Sequence, residues 1–120
     1  MVYEVLLLDT FDWNGFKGKL YFSRYNDMNP ALIFKTEDEI PILTFTVNAY
    51  DFYREYPFGD NRLVAVSKGL ESEGAVEALH EAGIISRPAF KVHSELGESV
   101  ACELSDQVVD LLKAFGEYYV

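Results

Sequence analysis

The stretch ALIFKTEDEIPILTFTVN, residues 31–48, limits the fold more than any other part of the chain. Residues 31–36 and 40–48 are rich in aliphatic, aromatic and threonine side chains, which fit a pleated surface. Only the acidic turn Glu37–Asp38–Glu39 separates them. A chain that reverses in three residues pairs its strands antiparallel, because a parallel pair needs a long crossover. Side chains alternate along a strand, so Leu43, Phe45 and Val47 share one face. A further segment, KGKLYFSRY (17–25), reaches this hairpin through the turn NDMNP, whose Pro30 marks entry into the next element. The three segments make an antiparallel meander.

Upstream, YEVLLLD (3–9) reads as a buried strand, followed by the loop DTFDWNGF with the turn residues Asn14–Gly15. Downstream, AYDFYREYPFGDN (49–61) carries five aromatics in the nine positions Tyr50–Phe58 and is closed by Pro57 and Gly59. RLVAVSK (62–68) resumes as a strand. Residues 72–82 read as a helix, with Ser72 as N-cap, Gly83 as C-cap glycine and Val76, Leu79 and Ala82 as the apolar stripe. Gly74 weakens its first turn. IISRPAFKVHS (84–94) and ESVACEL (98–104) form a second hairpin. Ser105 caps a final helix whose buried face is Val108, Leu111, Leu112 and Phe115. The expected fold is one α+β domain over 1–120, an antiparallel β-sheet of about five to six strands with two α-helices packed on it.

At 120 residues, 49% hydrophobic and 15% aromatic, the chain is too apolar for disorder and long enough to bury a core without metal or disulfide support. Its single cysteine, Cys102, can form no internal disulfide, which points to a reducing compartment. The start, MVYEVLLLDT, has no basic segment, and the run Val5–Leu8 is far too short for a signal or a membrane span. A cytoplasmic location is expected.

Residues for covalent or metal chemistry are scarce. His80 and His93 fall on different elements, and no paired-cysteine or H-E-x-x-H spacing occurs. Cys102 on a strand reads as a small core residue. Asp12, Asn14 and Gly15 match the third, fifth and sixth positions of a calcium loop. Its first and last ligands would be Thr10 and Tyr21, so a hairpin turn is the better account. No phosphate-binding or nucleophile motif is present. The expectation is a protein that is not an enzyme and holds no metal or cofactor.

Charge is the most informative feature that remains. Twenty acidic residues face ten basic ones, a net charge of −10. A field of this sign opposes phosphate and anionic lipid, so direct binding to nucleic acid or membrane is not expected, whereas cationic partners are attracted. Glu73, Glu77 and Glu81 recur every fourth residue, which on a helix makes a column of like charge. Asp106 and Asp110 repeat the spacing on the last helix, with Glu117 beyond. After Arg62 there are ten acids against four bases; up to it there are ten against six. A surface serving solubility alone would mix signs. The plain alternative is a solvated acidic face.

Two stretches carry a resemblance. LTFTVNAY (43–50) is similar to an LTVN strand end, and SEGAVEALHEAGII (72–85) to an E-G-x-x-x-x-L-x-x-x-G-I helix and turn. Both belong to a family of small proteins of unknown function carried by bacterial phages, plasmids and conjugative elements, which residues 20–103 resemble. The order of elements is similar too, with a strand near 62–68 between the two motifs. NDMNP stands where that family commonly has an NGR turn, and the helix after Ser105 is outside its pattern. The resemblance implies no catalytic residue. It implies a mobile genetic element, where small acidic proteins disarm host defence by occupying nucleic-acid sites.

These readings lead to a non-catalytic acidic interaction protein, an inhibitor of a host defence factor of CRISPR or restriction type that mimics nucleic acid. Its partner would be a basic, nucleic-acid-binding host protein. Glu73, Glu77, Glu81, Asp106 and Asp110 would supply charge, and Tyr50, Tyr53 and Tyr56 the apolar anchor. The alternative is a structural or accessory protein of a phage or plasmid that forms a homodimer through the same aromatics. The simpler account of those rings is that they cover the sheet.

Overall fold

Asn14 and Gly15 both adopt positive φ, 51° and 81°. Two such residues in succession make a turn whose twist matches that of paired antiparallel strands. In the computed structural model, which describes residues 4–37, 42–71, 73–94 and 97–116, they join β1 (Val5–Trp13) to β2 (Phe16–Arg24). The segment Asp9–Trp13, expected as loop, therefore continues the strand. Register shifts between Leu6 and Leu8 and between Leu8 and Phe11 absorb its irregular alternation. β3 (Pro30–Thr36) and β4 (Ile42–Thr44) complete a four-stranded antiparallel sheet in the order β1-β2-β3-β4.

The chain then leaves this sheet for a second one. Phe45 N–H still donates to Leu32 O, but Val47 N–H donates to Ala65 O and Ser67 N–H to Phe45 O, around a single bridge between Thr46 and Val66. The expected strand 40–48 is thus split: three residues pair with β3, and the rest seams onto the next sheet. α1 (Tyr50–Glu55) follows, then β5 (Leu63–Ser67), α2 (Lys68–Glu71), α3 (Ala75–Glu81), β6 (Ile85–Ser94), β7 (Gly97–Leu104) and α4 (Asp106–Ala114). The second sheet has the order β5-β7-β6 and is also antiparallel. The architecture is α+β, with seven named strands shared between two sheets. No helix among the described residues is long and apolar enough to cross a membrane.

Alternation assigns the faces. Phe11, Trp13, Leu20, Phe22, Leu32, Phe34 and Phe45 point into one main core, where Phe45 lies edge-on to Trp13 and stacked on Phe34. Val64, Val66, Val100, Cys102 and Leu104 line it from the second sheet, and Val76, Leu79, Val108, Val109 and Leu112 close it from α3 and α4. Cys102 is fully buried there, in the role expected for it. The opposite face of the second sheet is also covered. Ala65, Ala101 and Val92 meet Ala49, Phe52 and Tyr53 in a smaller core under α1. Alanines on these strands leave room for a helix carrying two rings.

The helix expected over 72–82 starts later. Gly74 takes a left-handed φ of 87° as the N-cap of α3, and Glu73 sits in a turn after α2. A glycine in that conformation ends one helix and lets the next set off in a new direction. Ser72, assigned as N-cap from the sequence, lies outside the described residues, as do Asp38, Glu39, Glu95 and Glu117. Ser105 does cap α4: its hydroxyl accepts from Val108 N–H and donates to Gly83 O at 2.7 Å. Ser105 N–H donates to Ile84 O as well. These bonds tie the C-terminal end of α3 to the N-terminal end of α4.

Candidate functional site

The three tyrosines proposed as anchors meet three different fates. Tyr50, at the start of α1, is 54% exposed. Tyr53 is 3% exposed and belongs to the small core. Its hydroxyl accepts a 2.8 Å bond from Ala65 N–H on the edge of β5. That backbone donor is buried and needs a partner, so Tyr53 seals the strand edge beside the Val47 bond. Burial pushes its phenol well above the ordinary value, with the Ala65 bond opposing. As a surface anchor Tyr53 is ruled out, because a side chain spent on the core cannot face a partner. Tyr56 is 36% exposed and rests on Phe52 and on Phe90 of β6, with ring centroids 5.4 and 5.6 Å apart. Phe90 is itself 41% exposed. It completes the aromatic surface, and sequence reasoning missed it because its partners come from a segment over thirty residues away.

Why this surface is open follows from lengths. α1 has six residues, about 9 Å of helix, whereas the eight residues of β7 span roughly 26 Å. The helix covers Ala65, Ala101 and Val92 and then stops. Beyond it lies a cleft of about 400 Å³, lined by Leu63 and Glu103 of the same sheet face, by Phe90 and Ala89, and by Asp60 and Arg62. The ladder slips between Pro88 and Phe90, which leaves Ala89 as the extra residue at this rim. Asn61 shapes the facing loop: its side chain accepts from Leu63 N–H and donates to Pro57 O. The strand edge itself is defended by Pro88 and the exposed Lys91, which discourage pairing with another chain.

One helical carboxylate reaches the cleft, through an arginine of its lining. Arg62 forms an ion pair with Asp106, the first residue of α4, where a carboxylate also suits the positive end of the helix. Asp110 is exposed one turn further along α4. Glu77 and Glu81 are exposed on α3, whose end is tied to Ser105 next to Asp106. Glu73 is exposed too, but it stands outside α3, so the continuous column of three expected from its spacing is reduced to one Glu77–Glu81 step. Among the described residues none of Glu73, Glu77, Glu81 and Asp110 makes an ion pair. The structure thus brings Asp106 to the aromatic cleft through Arg62, and leaves Glu73 at the far end of α3.

Elsewhere, charge is neutralised locally. On the outer face of the first sheet Lys19 pairs with Asp9 at 3.0 Å and Lys35 with Glu4 at 2.6 Å, while Lys35 also lies over the Tyr21 ring. Lys68 holds Glu98, whose carboxyl is thereby kept below the usual range. Asp27, Asn29 and Asn48 bond one another between the β2–β3 turn and the seam, so Asn48 serves as a cross-link as well as a strand end. Among the described residues no group of three histidine, cysteine or carboxylate side chains is placed to hold a metal ion. The chain matches no protein-family profile, no curated protein and no solved structure.

Proposed function

We propose that this chain is a non-catalytic acidic interaction protein that engages a basic, nucleic-acid-binding partner and competes there with nucleic acid. The observation that carries this reading is a cleft lined by Asp60, Glu103 and the half-exposed Phe90, with Tyr56 packed on Phe90 and Asp106 paired to Arg62 at its wall. Interfaces draw their energy from buried aromatics and their rates and specificity from charge. Here both lie side by side on a chain of net charge −10. With the Glu73–Glu81 column shortened, the reading rests on this mixed surface more than on a ladder of evenly spaced phosphate-like charges. A mobile-element inhibitor of a host defence factor, in the bacterial cytoplasm, is the biological setting that fits such chemistry.

The test is capture from bacterial lysate on immobilised protein at low and high salt, followed by elution with duplex DNA. A basic protein retained at low salt, released by salt and displaced by DNA is the expected result. Retention indifferent to salt and DNA would reject the reading. Self-association alone would favour the homodimeric structural protein.

A further inference from the structure

We infer that the cleft beside Phe90 is a receptor for one arginine side chain of the partner, a step that rests on the proposed binding of a basic protein. The guanidinium of Arg24 lies over two rings at once, 5.4 Å from the centroid of Phe22 and 5.3 Å from that of Phe58. Those two rings are 5.7 Å apart and inclined by 30°. Tyr56 and Phe90 form a second pair, 5.6 Å apart and inclined by 50°. The first pair is covered by its arginine. Over the second no cation lies among the described residues.

The surroundings of the second pair suit the same occupant. An arginine offers a three-carbon stem and a flat, weakly hydrated cation that stacks on aromatic faces. Leu63 and Ala89 are apolar walls for the stem, and a volume of about 400 Å³ exceeds what one such side chain fills. Asp60 supplies a carboxylate at the cleft wall. The one described base lining the cleft, Arg62, is turned to Asp106. A lysine would satisfy the charge but present no flat face to the rings. An acidic side chain would be repelled by Asp60, and a neutral one would leave its charge uncompensated.

The probes are three acetylated and amidated peptides, each with glycines flanking arginine, lysine or citrulline, titrated into isotope-labelled full-length protein and followed by amide chemical shifts. The arginine peptide should give saturable shifts at Tyr56, Asp60, Leu63 and Phe90. Lysine should bind at least about threefold more weakly, as befits a lost stacking contribution, and citrulline should leave the cleft unchanged. Phe90→Leu keeps an apolar side chain at a half-exposed site, so its melting temperature should hold while arginine affinity falls by about threefold or more. Asp60→Asn should weaken binding as well. Equal shifts from lysine and arginine, shifts confined to α3 and α4, or affinity indifferent to Phe90→Leu would each overturn the inference. Retention of protamine on a column of the protein separates the two levels. If no peptide shifts the cleft but protamine is held at low salt, the arginine receptor is wrong and the acidic-surface reading stands. If protamine also passes through, both fail.

Discussion

α1 and the α3–α4 pair both carry residues that their spacing marks as an interaction surface, yet the fold treats them in opposite ways. α1 turns Phe52 and Tyr53 into a second core and leaves Tyr50 and Tyr56 at its rim. α3 and α4 turn every one of their apolar side chains at Val76, Leu79, Val108, Val109 and Leu112 inward and leave Glu77, Glu81, Asp106 and Asp110 in water. An aromatic residue gains by burial wherever a flat sheet face offers it room. A carboxylate loses by burial unless it is paired, so it stays outside. Aromatic spacing is therefore a poor guide to surface, and acidic spacing a good one.

Substitutions on the two sides of this contrast should differ in their effects. The largest effect belongs to Tyr53→Ala, which opens the small core and should cost roughly 3–5 kcal/mol, read as a fall in the denaturant midpoint. A loss under 1 kcal/mol would mean that α1 is an appendage and not a core element. Tyr53→Phe keeps the ring and orphans the Ala65 N–H, for an expected loss of about 1–3 kcal/mol. The same variant has a pH signature. Because the folded state holds the Tyr53 proton above the ordinary value of 10.0, its contribution is complete below pH 10 and declines as pH rises beyond it. Tyr25, raised in the same direction by burial, adds to that decline. Tyr53→Phe should flatten the alkaline limb of stability against pH, and an unchanged limb would assign it to other groups.

On the other side of the comparison, Ser105→Ala should cost about 1 kcal/mol through the lost cap and the lost bond to Gly83. It should also raise amide exchange at the start of α4. The smallest effect is expected for the joint change of Glu73, Glu77 and Glu81 to glutamine. Stability should move by less than about 0.5 kcal/mol, while the association rate with a basic partner falls. Glu73→Gln alone should alter that rate least, since it stands apart from the other two and from the cleft. If the three contribute equally, bulk acidity and not position governs the encounter.

Periodicity made the α+β class, the paired strands and α4 legible. Ile33 to Thr36 and Leu43 to Thr44 announce paired strands, and Ser105 followed by Val108, Leu111 and Leu112 announces a capped helix, although Phe115, expected on its buried face, is 55% exposed just past its end. Three things were hidden. Asp9–Trp13 has loop-like composition and is held in β1 by bulges and by its partner β2, a tertiary effect. Tyr50–Glu55 lacks a capping side chain and any helical stripe of ordinary length, so only the alanine-paved sheet beneath it makes it a helix. The cleft depends on Phe90, Asp60 and Glu103, which come from β6, a loop and β7. No local pattern links residues so far apart in the chain.

The order β5-β7-β6 also sets a timetable. β1, β2 and β3 pair with their sequence neighbours, so the first sheet closes only short loops and can assemble early. β5 must wait. Its ladder joins Ser67 to Ser99 and Leu63 to Glu103, and until β7 emerges it has only the seam at Phe45–Val47 to lean on. During synthesis the N-terminal meander can therefore form while the second sheet is still incomplete. α1 would find only Ala65 of its floor, without Ala101, and its rings would be exposed together with the open edge of β5. The last fifth of the chain is thus what converts an aggregation-prone aromatic segment into a covered one, and a ribosome stalled before Gly97 would leave that segment bare.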